Sequence, residues 1–273
     1  MYMMLSLEEV QHMDDIELLQ RLKRCCKRMR ISSALADRAM VTEGETNQEF
    51  LLHLLEEEVR LREEAKVSKA ITSAHFPRVE HFDYYVADEV QFPPGVSITS
   101  LKSLDFLEKN QNVIMYGGTG TGKTMLSICI GLQACRMGIP VKFYRTAKFI
   151  NKLNEQKKRG TYEKFIKQLD DTPVLILDEF GYVPYDRVGS ELMFDYLSER
   201  HEESRRVVIL NTNLEFSQWV NVLYNAKMTT ALVGRLTHHC QLLLFPGVNH
   251  RLKESSINDF YNAMTNNKGV VEP

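Results

Sequence analysis

A glycine-rich loop that ends in lysine and threonine is the segment of this sequence best suited to chemistry. Glycines let the backbone wrap around a phosphate so that successive N–H groups point at it, and the start of a helix adds positive potential. A lysine in this place brings a charge to the β and γ oxygens, and the following threonine offers its hydroxyl to Mg²⁺. The pattern predicts a Walker A site for ATP and Mg²⁺ formed by Gly117, Gly118, Thr119, Gly120, Thr121, Gly122, Lys123 and Thr124.

Two other interpretations of this loop exist. A dinucleotide-binding fingerprint that began at Gly118 would require a third glycine at position 123, which is lysine. A glycine-rich turn followed by a chance Lys-Thr pair is the structural alternative. The loop follows an apolar run at 113–116 and opens a helical pattern at 124–137, however, and this is the setting that phosphate binding requires.

Two acidic residues end another apolar run and extend the predicted site. The run at 174–177 is followed directly by Asp178 and Glu179. We expect Asp178 to hold Mg²⁺ through water and Glu179 to be the general base for the attacking water. An acidic cap of the next helix is the structural alternative. A small-molecule kinase would use the hydroxyl of its own substrate here, so the paired acids favour hydrolysis.

An amide and an arginine further along the chain could complete a hydrolytic site. The run at 207–210 ends in Asn211-Thr212-Asn213, and an amide there could orient the water if this strand lies between the other two. Arg235 could reach the γ-phosphate of a neighbouring subunit. A strand-end turn for the asparagines and a surface position for Arg235 are the structural alternatives.

Short apolar runs alternate with helical patterns beyond residue 110. The segment 147–168 is predicted to be helical, with an interruption near Gly160. Strands separated by helices predict an α/β fold with a parallel sheet that is covered by helices on both faces. The predicted strands lie at 113–116, 141–144, 174–177, 207–210 and 242–245.

The first part of the chain has apolar residues at helical spacing with many charged residues between them. Leu5, Leu7 and Val10 begin this pattern, and Thr46 with Glu49 predicts a capping box before a later helix. We therefore predict a small all-α domain before an ATPase domain, joined by a linker that is rich in aromatic residues and proline and packs on the ATPase domain. The predicted segments are 1–75 for the helical domain, 76–110 for the linker, 111–265 for the ATPase domain and 266–273 for a disordered tail.

The order of these motifs resembles that of AAA+ ATPases, and the surrounding sequence resembles the IstB family. IstB proteins are helper ATPases of insertion-sequence transposases and share a clade with the DnaC helicase loaders. The stretch Glu-Phe-Gly-Tyr-x-Pro at 179–184 is the most specific part of the resemblance. Other similar segments lie at 50–52, 58–64, 104–108, 216–219 and 235–239.

The resemblance implies a P-loop AAA+ sheet preceded by a helical domain that contacts the transposase or other copies of the chain. It implies that Asn213 rather than Asn211 is the sensor of the nucleotide, and that Arg235 is the arginine finger. It also implies an ATP-dependent homo-oligomer on double-stranded DNA that recruits or stimulates a cognate transposase and disassembles on hydrolysis. The family signature Gly-x-Ser-Tyr-Arg is Gly-Val-Asn-His-Arg here, so the serine and tyrosine before Arg251 are replaced. A helicase loader of the DnaC type is the alternative function.

A local cluster of basic residues marks the predicted DNA contact. Between Arg145 and Gln168 there are eight Lys or Arg residues against two acids, in a chain whose formal net charge is −2. Such a cluster neutralises phosphates, and because no base-reading pattern accompanies it we expect sequence-independent binding. The resemblance places a DNA-facing helical element here, whereas a solvated helix face is the structural alternative. The predicted contacts are Lys148, Lys152, Lys157, Lys158 and Arg159.

Composition excludes several other classes of protein. The chain is 44% hydrophobic and 26% charged, which is typical of an ordinary globular protein. No apolar run approaches the length of a membrane span, and the first residues carry acidic pairs where a signal peptide would be basic. We therefore expect a cytoplasmic protein without membrane contact. The five cysteines show no metal-binding spacing.

Overall fold

The computed structural model describes residues 13–202 and 206–250. The chain divides after Ser68 into two compact units. In the first unit the described residues form helices, as the sequence predicted, while Leu5, Leu7 and Val10 lie outside the described residues. The helices are α1 at Asp15–Met29, α2 at Ala34–Ala39 and α3 at Asn47–Ala74, which continues into the second unit.

Side chains fix the ends of the first helices. The N–H of Glu17 donates to Asp14 Oδ1 at 2.7 Å, which caps α1. The capping box predicted before α3 is confirmed. Its two bonds run from Glu49 N–H to Thr46 Oγ1 and from Thr46 N–H to Glu49 Oε2, both at 3.2 Å.

Five parallel strands form the sheet of the second unit, in the order β2-β3-β4-β1-β5. The five predicted strands are confirmed, and each extends at least one residue beyond the predicted run. Strand β4, which contains Asn211, lies between β1 and β3 and pairs with both. An amide at the end of β4 could orient the attacking water only with this strand order. The bounds are β1 Asn112–Gly117, β2 Val141–Arg145, β3 Val174–Phe180, β4 Val207–Thr212 and β5 Cys240–Phe245.

Helices cover both faces of this sheet. Alternate strand residues point to opposite faces, and the apolar ones enter two separate buried clusters. Gly160, with φ of +67°, separates two helices at the predicted interruption. The helices are α4 Ile98–Ser103, α5 Asp105–Glu108, α6 Lys123–Arg136, α7 Thr146–Lys158, α8 Tyr162–Asp170, α9 Arg187–Glu202, α10 Val220–Leu223 and α11 Ala226–His238, with short 3₁₀ helices at Phe82–Tyr84 and Phe216–Trp219.

Residues of the segment 76–110 pack against the second unit's sheet and core. Phe82 and Tyr85 lie against the core cluster on one face. Gln91 forms an isolated antiparallel bridge with Leu244 of β5, through two backbone hydrogen bonds of 2.9 and 3.0 Å. The later part of the segment forms α4 and α5, where Phe106 is fully buried. This segment therefore forms part of the fold that holds the phosphate loop.

Within the described ranges, no helix is both long and apolar enough to cross a lipid bilayer. The predicted tail at 266–273 and Arg251 lie outside these ranges.

Candidate nucleotide-binding site

The carboxyl ends of β1, β3 and β4 meet at one edge of the sheet, and the chemistry-bearing residues gather there. A cavity of about 390 Å³ opens at this edge. Most of the phosphate loop, both acids of β3 and the first asparagine of β4 line it. These residues are Thr119, Gly120, Thr121, Gly122, Lys123, Thr124, Asp178, Glu179 and Asn211.

The phosphate loop has a backbone conformation that depends on its glycines. Gly120 and Gly122 have φ of +78° and +95°, which side-chain-bearing residues rarely adopt. A Cβ at position 120 would also lie 1.9 Å from Asn249 Oδ1, so the loop is packed closely against the segment after β5. The N–H of His250 donates to the carbonyl of Gly120 at 3.0 Å.

The ammonium group of Lys123 lies inside this loop. It donates to the carbonyl oxygens of Gly117, at 2.8 Å, and of Gly118, and it lies 3.3 Å from Thr121 Oγ1. The side chain is almost fully buried, although it lines the cavity. A positive charge is therefore concentrated where the backbone N–H groups of the loop and the start of α6 also attract an anion.

A hydroxyl and a carboxylate meet beside the loop. Thr124 Oγ1 lies 3.0 and 3.1 Å from the two carboxylate oxygens of Asp178. Hard oxygen atoms of this kind are the ligands that Mg²⁺ takes, together with phosphate and water oxygens. The described residues contain no group of three or more His, Cys, Asp or Glu placed to hold a metal ion. The Thr124 hydroxyl and the Asp178 carboxylate have the chemistry to hold a magnesium ion together with the phosphates of a nucleotide.

Asn211 ties Asp178 to the phosphate-loop helix. Its Nδ2 donates to Asp178 Oδ1 at 2.8 Å and to Ser127 Oγ of α6 at 3.0 Å. Ser127 in turn donates its hydroxyl hydrogen to the carbonyl of Thr124 at 2.9 Å. The sequence predicted an amide at this edge but not this network, which depends on β4 lying between β1 and β3.

Glu179 occupies an irregular position at the end of β3. The pairing of β3 with β4 shifts register between Leu177 and Phe180, and Glu179 has φ of +57°. Its Oε2 lies 3.5 Å from Nε of Arg145, the last residue of β2. The bulge turns the half-buried carboxylate of Glu179 into the cavity beside Asp178, so the two acids share one site.

The cavity is also lined by residues that the sequence did not single out. Arg78, Tyr84, Tyr85 and Val86 come from the segment before the sheet, and His250 follows β5. The Tyr85 hydroxyl lies about 3.5 Å from the position of a Cβ on Gly122, and burial raises the pKa of Tyr85 well above its ordinary value. The aromatic composition of 76–95 was the only sequence signal for this wall, and it predicted packing rather than a cavity.

Tyr182 connects the loop after β3 with the phosphate loop. Its hydroxyl lies 3.1 Å from Thr119 Oγ1, and the ring lines the cavity. The N–H of Gly181 donates to the hydroxyl of the buried Tyr185 at 2.7 Å, which holds the start of this loop in place. Tyr182, which belongs to the stretch that carried the family resemblance, thus forms part of the cavity wall.

Two predicted catalytic residues lie apart from this cavity. Asn213 follows β4 and is not among the lining residues, and its buried Oδ1 has no hydrogen-bond partner among the described residues. Arg235 lies on α11, where it donates to Ser198 Oγ at 3.0 Å and its guanidinium packs 5.4 Å from the ring centre of Phe194. Their predicted roles remain predictions, and that of Arg235 requires a second subunit.

The predicted DNA contacts lie on and just beyond α7, which starts at the cavity edge after Arg145. Phe149, Ile150 and Leu153 are buried on the inner side of this helix. Glu155 pairs with Lys152 at 3.4 Å and with Arg159 at 2.6 Å.

The other lysines of this stretch are exposed to solvent. The ammonium of Lys157 lies 5.0 Å from the ring centre of Tyr162. Lys148, Lys158, Lys164 and Lys167 are exposed and make no ion pair with any residue that the structure describes. The stretch therefore presents a surplus of positive charge, although Lys152 and Arg159 share Glu155 and Arg145 contacts Glu179.

Comparison with known sequences gives a consistent family. Residues 8–258 match the family described as IstB-like ATP binding protein. An ATP-binding protein of insertion sequence IS21 from Pseudomonas aeruginosa is 33% identical over 241 residues, which cover 87% of this chain and 88% of the relative. An ATP-binding protein of insertion sequence IS5376 from Geobacillus stearothermophilus is 27% identical over 249 residues, covering 88% and 97%.

A solved structure has a similar fold. DnaA from Aquifex aeolicus, bound to AMPPCP, aligns with a TM-score of 0.51 at 19% identity, over 66% of this chain and 56% of DnaA. At this level of identity the likeness concerns the fold alone, a parallel sheet with helices on both faces. The predicted fold class is confirmed.

Proposed function

The chain belongs to the IstB-like ATP-binding protein family, and from this membership and the geometry of its cavity we propose that it is an ATPase whose hydrolysis controls a multimer on duplex DNA. The observation that carries the proposal is the meeting of the phosphate loop, Asp178 and Glu179 in one cavity. A loop that only bound a phosphate would not require a second carboxylate beside the first.

In the proposed hydrolysis, the residues of the phosphate loop and the two acids have separate roles. Thr124 and Asp178 would hold Mg²⁺, which when bound neutralises charge on the β and γ phosphates. Lys123 and the loop N–H groups would bind the same oxygens. Glu179 would accept a proton from water as the water oxygen bonds to the γ phosphorus, and the bond from that phosphorus to the leaving ADP oxygen breaks.

A role on DNA is supported by the charge on α7. The helix begins directly after Arg145, which contacts Glu179, and it carries Lys148 and later cations. Phosphates bound along this helix would therefore lie close to the catalytic edge of the sheet. We expect these contacts to be made with the DNA backbone and to be largely independent of sequence.

A transposase partner and self-assembly are supported by less direct observations. The relatives in Pseudomonas aeruginosa and Geobacillus stearothermophilus carry names that place them in insertion sequences. Arg235 has no position in the cavity of its own chain, so a catalytic role for it needs a neighbouring copy. We propose that ATP between copies favours the multimer, that the multimer recruits or stimulates the cognate transposase, and that hydrolysis disassembles it.

The proposal is tested by measuring ATP turnover with Mg²⁺ in the absence of DNA, with a random-sequence duplex and with a single strand of equal length. We expect turnover that the duplex stimulates and that sequence scrambling leaves unchanged. Absence of turnover under all three conditions would contradict the ATPase assignment. Stimulation by the single strand alone would favour a helicase loader instead.

A further inference from the structure

Asn211 is a buried side chain that lines the cavity and has no part in the proposed hydrolysis. It is 1% exposed and yet lines the cavity. The amide makes two hydrogen bonds through Nδ2, while its Oδ1 is buried and has no hydrogen-bond partner among the described residues. An acceptor in that condition is rare in folded proteins, because burial without a bond costs free energy.

The orientation of this amide is fixed by its neighbours. Ser127 gives its only hydroxyl hydrogen to the carbonyl of Thr124, so Ser127 Oγ must accept the bond from Asn211. The carboxylate of Asp178 is also an acceptor. The NH₂ group of Asn211 must therefore face Ser127 and Asp178. Its Oδ1 faces away from them and can form a hydrogen bond only with a donor.

The chemistry of the cavity limits what that donor can be. Phosphate oxygens are acceptors and cannot pair with Asn211 Oδ1. Water bound to a magnesium ion is a strong donor, and Mg²⁺ keeps several waters when it binds beside a nucleotide. Asn211 is bonded to Asp178, which contacts Thr124, so the amide lies on the side of the cavity where the ion would be held.

We propose that Asn211 is a positioning residue for hydrated magnesium. It fixes the Asp178 carboxylate through Nδ2 and accepts a hydrogen bond from a magnesium-bound water through Oδ1. This assigns Asn211 to the metal and leaves orientation of the attacking water to other groups. The inference rests on the proposed function, because it requires that the cavity take Mg²⁺ and ATP.

The test compares nucleotide binding with and without magnesium, using a fluorescent ATP analogue. Asn211→Leu keeps approximately the same volume and removes both polar atoms. Changes in residues that support metal ligands lower metal affinity by about 10- to 100-fold. We therefore expect the Mg²⁺ concentration for half-maximal tightening of nucleotide binding to rise at least about tenfold. Affinity measured in EDTA should change by less than about twofold, because the phosphate loop is intact.

Two further variants keep the test informative if Asn211→Leu folds poorly. Ser127→Ala removes one partner of the amide, and we expect a smaller shift in the same direction. Asn221→Leu makes the same change at an exposed asparagine away from the cavity, and we expect no shift in the magnesium dependence. Thermal unfolding of each variant shows whether the fold is retained.

Three results would count against the inference. Equal loss of affinity with and without Mg²⁺ would show a structural role for Asn211. An unchanged magnesium dependence in both Asn211→Leu and Ser127→Ala would remove the amide from the metal site. If the wild-type protein does not bind the analogue under either condition, the proposed function itself fails.

Discussion

Arg145 at the end of β2 forms an ion pair with Glu179 at the end of β3, with Nε 3.5 Å from Oε2. Arg145 is also the residue before α7, which carries the predicted DNA contacts. One guanidinium therefore lies between the proposed general base and the basic helix. The pair holds the Glu179 carboxylate towards β2. If Glu179 is the general base, Arg145 would compete with the water whose proton Glu179 accepts.

Removing this competitor should raise turnover when DNA is absent. For Arg145→Ala we expect ATP hydrolysis without DNA to increase by up to about fivefold, the equivalent of the roughly 1 kcal/mol that a partly exposed ion pair contributes. ATP affinity should stay unchanged, because Arg145 does not line the cavity. Steady-state kinetics with Arg187→Ala as the control measure both quantities. A fall in turnover would mean that Arg145 orients Glu179 productively.

Lys123 supplies the positive charge inside the phosphate loop. Replacing it with alanine removes charge-assisted hydrogen bonds worth about 1.5–3 kcal/mol each, so ATP affinity should fall by at least about tenfold for each bond removed. Equilibrium binding of a fluorescent ATP analogue measures this decrease. Lys109→Ala, which changes an exposed lysine away from the cavity, is the matched control and should bind normally. Retained affinity in Lys123→Ala would overturn the assignment of the site.

Glu179 and Arg235 should be needed on different subunits. Glu179→Gln should bind ATP but hydrolyse it about 10²- to 10⁴-fold more slowly, because a general base contributes about that factor. Arg235→Ala should be slow by about 10³- to 10⁵-fold if Arg235 is an arginine finger.

Mixing the two inactive variants separates this arrangement from two defects within one subunit. The Arg235→Ala subunit keeps its Glu179, and the Glu179→Gln subunit keeps its Arg235. Where the two variants meet, one site therefore has both residues. We expect the mixture to regain turnover well above that of either variant, with Glu108→Gln as a control that remains active. A mixture as slow as its components would place Arg235 in a structural role with Ser198 and Phe194.

The cations after Lys152 should set the salt dependence of DNA binding. Alanine at Lys157, Lys158 and Arg159 should weaken duplex binding, and the slope of log affinity against log salt should flatten by about 0.9 for each phosphate that the variant no longer neutralises. Fluorescence anisotropy with a labelled duplex at several salt concentrations measures the slope. The control replaces three exposed lysines elsewhere, Lys66, Lys109 and Lys227. An unchanged slope in the first variant would move the DNA-binding surface to another part of the protein.

The sequence was sufficient to predict the strands and the phosphate loop, because both depend on local pattern. Periodicity located β1 to β5, and glycine spacing located Lys123 and Thr124 at the start of a helix. It was also sufficient to place Asp178 and Glu179 at the same edge, since the carboxyl ends of parallel strands meet there.

What the sequence could not predict depends on contacts between distant segments. The bonds of Asn211 to Asp178 and Ser127 arise only when β4 inserts between β1 and β3. The cavity wall formed by Tyr85 and His250 comes from one segment before β1 and another after β5. Neither segment has a periodic sequence pattern. The bulge at Glu179 is a property of strand register, which composition does not encode.

If the proposed function is correct, ATP binding without hydrolysis assembles several copies of this chain on duplex DNA. Size-exclusion chromatography with light scattering tests this assembly. It measures the mass of the particle that the wild-type protein forms with a duplex and a non-hydrolysable ATP analogue. The proposal predicts a large complex that contains DNA and many copies of the chain, and that is absent with ADP or without DNA. A monomer under all of these conditions, or a complex of equal mass with ADP, would contradict it.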